Sequence, residues 1–66
     1  MKILSATQTV TTDGVTVEGE DVSPEQVRAD LPELVRRHKR AVKSDPMWGF
    51  FGGTIEIDNR TYQVAP

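Results

Sequence analysis

Between Asp30 and Lys43, the residues Leu31, Leu34, Val35, His38, Ala41 and Val42 recur at the spacing of one face of an α-helix. Arg36, Lys39, Arg40 and Lys43 occupy the opposite side, with Arg37 at its flank. Around this helix the period changes to two. Residues 2–19 are rich in Thr and Val, which suit a half-buried pleated strand, and Asp13-Gly14 signals a tight hairpin turn. Closing the turn there pairs Thr12 with Val15, Thr11 with Thr16 and Val10 with Val17. Val10, Val15 and Val17 then share a face with Leu4 and Ala6. Thr7, Thr9, Thr11, Thr16 and Glu18 fall on the other, which a threonine surface leaves open to water. Residues 50–65 predict a second hairpin. A loop at Asn59-Arg60 pairs Ile57 with Tyr62 and Ile55 with Val64, placing all four on one face.

Two helix starts compete. Ser23, Pro24 and Gln26 fit an N-cap, a first helical position and a capping box, and Asp30 with Glu33 repeats the signal. Pro32 follows Asp30, and a proline inside a helix costs about 3 kcal/mol. The pattern therefore predicts a helical segment over 24–43, broken near 30–32. Asp45-Pro46 ends it. The stretch Met47–Gly53 is both apolar and glycine-rich and is expected to be irregular, with Gly52-Gly53 leading into the strand. The sum is a single small α+β domain over 1–66, ordered ββαββ. Two antiparallel β-hairpins form a sheet packed on one central helix, a two-layer sandwich.

With 66 residues and no cysteine, neither a disulfide nor a thiolate metal site can brace this core. No run approaches the ~20 apolar residues that span a bilayer, so a soluble, cytoplasmic protein without a membrane partner is expected. The net charge of −2 is unevenly spread: −5 over residues 1–35, +5 over 36–43 and −2 over 44–66. Cations at a helix C-terminus offset its dipole, which accounts for part of this pattern.

Little else in the chain carries chemistry. His38 is the only histidine, short of any zinc site. Ser5, Ser23 and Ser44 lack a catalytic motif, and the glycines match no phosphate-cradling pattern. Glu18, Glu20 and Asp21 lack the loop of a calcium site. No catalytic residue, cofactor or metal is expected. The candidate partner-binding residues are Arg36, Lys39, Arg40 and Lys43 with Trp48 and Phe50. Met47, Trp48, Phe50 and Phe51 crowd into five positions and cannot all point inward, and exposed aromatics beside arginine dominate interfaces. The expected function is a non-enzymatic protein-binding module, a regulator, inhibitor or accessory protein, whose partner presents an acidic surface. A homodimer is a second way to cover the same residues. The alternative is nucleic-acid binding through the basic helix face, against which the acidic body weighs.

Overall fold

A long hairpin opens the chain. The computed structural model describes residues 1–66 apart from the side chain of Glu18. Strand β1 (Ile3–Thr12) turns at Asp13-Gly14 into β2 (Val15–Asp21). Both turn residues have positive φ, 52° and 77°, as a turn matching the right-handed strand twist requires. The pairs Val10–Val17, Thr11–Thr16 and Thr12–Val15 form as the pattern predicts, and the hydroxyls of Thr11 and Thr16 meet at 3.0 Å. Thr11 and Thr16 are exposed and Thr7 and Thr9 half-buried; Glu18, expected on that face, has its side chain outside the described residues.

The apolar side of this hairpin departs from expectation. Only Ala6 packs on the core, and Val10 is half-buried, whereas Leu4, Val15 and Val17 are exposed. Two bulges explain part of this. A register shift between Ile3 and Ser5 turns Leu4 outward and lets Ile3 and Ala6 both face the core. One extra β2 residue lies between Val17 and Glu20, where Gly19 has φ +88°.

The helix α1 (Pro24–Ser44) is unbroken, which corrects the predicted break. Ser23 caps it by accepting from the Gln26 amide at 3.2 Å, and Pro24 takes a first-turn position. Pro32 sits on the exposed side, so the Arg28 carbonyl that loses its amide donor is left facing water rather than core. Asp30 is not a second cap; its carboxylate is buried. The apolar stripe is split accordingly. Leu34 is fully buried, His38 and Ala41 are half-buried, and Leu31, Val35 and Val42 are exposed.

After Asp45 comes a single helical turn, α2 (Trp48–Phe51), where an irregular segment was expected. Gly52 ends it in the left-handed region at φ +69°, and β3 (Gly53–Ile57) begins at once. Strand β4 (Arg60–Val64) follows a two-residue turn at Asp58-Asn59. The expected loop at Asn59-Arg60 is thus displaced. Ile55 pairs with Tyr62 and Ile57 with Arg60, a shift of two residues that keeps the isoleucines, Tyr62 and Val64 on one face. Asp58 tolerates the positive φ of 53°, and Asn59 is held by β1: its Nδ2 donates to the Thr9 carbonyl at 2.7 Å and its carbonyl accepts from the Thr9 amide at 3.1 Å.

The result is α+β, with one helix on one antiparallel sheet of order β2-β1-β4-β3. Leu34, Trp48, Ile55, Tyr62 and Val64 form the buried cluster. The indole of Trp48 lies flat against Gly53, where any Cβ would enter its ring, and edge-on to His38 at 6.0 Å between centroids. No helix is long and apolar enough to cross a membrane.

Trp48 therefore separates shape from polarity. Trp48→Ala empties the end of a marginal core, and a loss of about 3–5 kcal/mol unfolds most of the population at ambient temperature. Trp48→Phe keeps a ring over Gly53 and removes an indole nitrogen that is buried without a hydrogen-bond partner. Its urea-denaturation midpoint is expected to stay much closer to that of the parent than to that of Trp48→Ala.

Candidate interaction surface

The side chains that position this surface begin below it, at Asp30. Its carboxylate is buried on the inner side of α1 and accepts four hydrogen bonds. Arg60 gives two, Nε at 2.6 Å and Nη2 at 3.0 Å; the Tyr62 hydroxyl gives a short one; Gln26 Nε2 gives the fourth at 3.2 Å. Gln26 is thereby drawn away from the reciprocal capping bond expected of it. Burial pushes the Asp30 carboxyl up, but the hydrogen bonds from Arg60, Tyr62 and Gln26 and the charge of Arg60 outweigh it, leaving the pKa below its ordinary value. The bond to Asp30 raises Arg60. Burial first, and the carboxylate second, push Tyr62 up to about 12. Among the described residues, no buried side-chain polar atom of this node lacks a partner, so it serves to seat the helix.

Seven residues beyond Asp30, Arg37 reaches across to the sheet. Its Nη1 donates to the Glu56 carbonyl of β3 at 2.6 Å. A two-residue turn makes Ile57–Arg60 a hydrogen-bonded pair, so the Glu56 carbonyl points out from the edge, and Arg37 blunts that edge. Glu33 gathers both neighbouring arginines: Arg36 Nη2 at 2.6 Å and Arg37 Nε at 2.7 Å. These hydrogen bonds hold the Glu33 carboxyl below its ordinary pKa.

The predicted cations thus divide. Arg36 and Arg37 are engaged within the helix and at β3. Lys39, Arg40 and Lys43 are exposed and form no ion pair among the described residues. Beyond them, Asp45 organises the chain. Its amide donates to the Ala41 carbonyl at 2.8 Å, its Oδ1 accepts from the Met47 amide at 3.0 Å, and its carbonyl accepts from the Trp48 amide at 3.1 Å. Of the two predicted aromatics, Trp48 is only 8% exposed and belongs to the core, so its ring is withdrawn from any partner. Phe50 is 75% exposed, Phe51 74%, and Met47 is also exposed. The reason is periodicity. One turn of helix places one residue inward, and the indole is the group that fits above Gly53.

Among the described residues, no cluster of three potential metal ligands occurs. No protein-family model, curated protein or solved structure matches the chain.

The Asp30 node makes stability pH-dependent at both extremes. The depressed Asp30 pKa gives a contribution complete above the unfolded value of about 3.8 and lost as pH falls below it. The raised Tyr62 pKa gives one complete below pH 10 and lost between pH 10 and about 12. Tyr62→Phe is expected to cost about 1.5–3 kcal/mol at neutral pH, since it removes a hydrogen bond to a charged group. Urea titrations across pH are expected to show the variant without the parent's decline above pH 10 that Tyr62 causes.

Proposed function

We propose that the chain is a non-enzymatic protein-binding module that engages an acidic surface through Lys39, Arg40 and Lys43 together with Met47, Phe50 and Phe51. The observation that carries this reading is the exposure of two consecutive phenylalanines, 75% and 74%, on a turn whose third aromatic is anchored in the core. Two such rings in water are unfavourable unless something covers them. The bonds of Asp45 and the anchoring of Trp48 hold the turn before any partner arrives, which limits the entropy lost on binding. Among the described residues no carboxylate pairs with the neighbouring cations, which would steer an acidic partner toward the rings.

The test compares proteins recovered from the native host by the parent, by Phe50→Ser with Phe51→Ser, and by Arg40→Glu. Both variants are expected to keep the parent's circular dichroism, since the altered side chains are exposed. A shared acidic partner retained by the parent and lost by both variants supports the reading; a partner retained by both overturns it. Nucleic acid is the competing occupant. With three unengaged cations, duplex binding would show log K falling against log salt with a slope of about −3, reduced by about 1 in Arg40→Glu. That pattern, in place of protein recovery, would move the function to nucleic acid.

A further inference from the structure

An open sheet has two edges that a further strand can join, and here the two are protected differently. In the order β2-β1-β4-β3 they are β2 and β3. Strand β2 carries its own obstacles. Its register with β1 shifts between Val17 and Glu20, Gly19 sits in the shift at φ +88°, and Glu20 and Asp21 follow, both exposed. A bulge and exposed charges each discourage an added strand. Strand β3 pairs with β4 without any shift and contains neither proline nor lysine. Thr54, Ile55 and Ile57 favour strands, and the one charge is Glu56.

The free hydrogen-bonding groups of β3 follow from its turn. The two-residue turn at Asp58-Asn59 makes Ile57–Arg60, and next Ile55–Tyr62, hydrogen-bonded pairs, so the amides and carbonyls of Thr54 and Glu56 point away from β4. A second copy of β3, laid antiparallel with Ile55 opposite Ile55, presents the same groups in reverse order. Thr54 of each chain then faces Glu56 of the other, and each such pair exchanges two hydrogen bonds. One bond of every pair ends on a Glu56 carbonyl. That carbonyl is the acceptor Arg37 Nη1 occupies at 2.6 Å. Neighbouring strands lie about 4.8 Å apart, so the guanidinium stands where the incoming strand would run.

We propose that Arg37 is an autoinhibitory contact: its bond to the Glu56 carbonyl keeps β3 from pairing edge to edge with β3 of a second copy. Glu33 is the positioning residue. Its Oε1 accepts from Arg37 Nε at 2.7 Å, which aims the other end of the fork at the strand. The protection comes from the helix rather than from β3 itself, and its placement depends on the helix being seated. Asp30, two turns before Arg37, sets that placement through Arg60. The device does not use Lys39, Arg40, Lys43, Phe50 or Phe51 and stands apart from the binding function proposed for them.

The test compares the parent with Arg37→Met, which keeps most of the stem and removes the fork. In sedimentation equilibrium over a wide concentration range, the variant is expected to rise toward twice the parent's mass while the parent stays unchanged. Over the same range, amide hydrogen exchange at Thr54 and Glu56 is expected to slow with concentration in the variant and to remain fast in the parent, where those amides face water. Glu33→Gln, which leaves Arg37 in place but loosens it, is expected to show both effects more weakly. Adding Thr54→Pro to Arg37→Met is expected to return the parent's mass, because proline removes an outward amide and no bond to β4. If Arg37→Met loses the parent's circular dichroism, Arg37→Leu decides in its place. A variant whose mass matches the parent's at every concentration overturns the proposal. So does association that survives Thr54→Pro, or a parent in which the Thr54 and Glu56 amides already exchange slowly.

Discussion

The structure depends on one buried carboxylate. Asp30 stands in the middle of α1, where a charge is tolerated only with its partners in place, and those partners, Arg60 and Tyr62, come from β4. A buried ion pair is weak evidence for stability, since an apolar substitute of the same shape often does as well. Its consequence here is geometric. The arginine fork accepts one placement of the carboxylate, so the rotation and advance of the helix over the sheet are set together. One turn later Leu34 lands in the core cluster, and Arg37 then reaches the Glu56 carbonyl. With those inward positions set, Lys39, Arg40 and Lys43 must point outward.

Trp48 makes the second closure. Few residues are buried in this chain, and at its far end a single indole closes the space between His38 and Gly53. Both His38 Nε2 and Trp48 Nε1 are shielded without a hydrogen-bond partner among the described residues, so area and shape outweigh polarity at this point. The glycines are matched to it. Gly53 has no Cβ because the ring lies where one would be, and Gly52 turns through positive φ against the backbone of Val64. The same tight turn that buries Trp48 exposes Phe50 and Phe51.

How much of this was legible in the sequence depended on the range of the interaction. The Asp13-Gly14 turn is a local signal, and it gave the three pairs nearest the turn, as far as the bulge beyond Val10. The second hairpin was placed two residues out because its turn is set by a distant contact, Asn59 with Thr9. The helix break failed for a related reason. Asp30 looks like a cap to a local reading, but its function is fulfilled thirty residues away by Arg60. Pro32 is tolerated because it falls on the wet side. The basic helix face and the mixed fate of the aromatic stretch were visible in the pattern. Which ring turns inward was not, because that choice belongs to Gly53. Nor was the outward turn of Leu4, which takes a bulge rather than a change of alternation.

These features also explain two of the places where apolar surface is left over. The helix is held over β4 and β3 by Asp30 and Arg37, so it cannot also cover β1 and β2 beyond Gln8. Trp48 occupies the space at the opposite end, so its neighbours Met47, Phe50 and Phe51 have no room inside. Strand β1 joins the two regions and, at about 3.3 Å per residue, holds them roughly 30 Å apart. At that distance the loss of one exposed side chain is additive with loss at the other unless the fold itself fails. The ribbon of β1 and β2 beyond Gln8 carries Val10, Val15 and Val17 on one face, the last two exposed. The aromatic turn follows Lys43 and is tied to Asp45, whose Oδ1 accepts from the Met47 amide. The two places therefore differ in chemistry as well as position: one is aliphatic, the other aromatic.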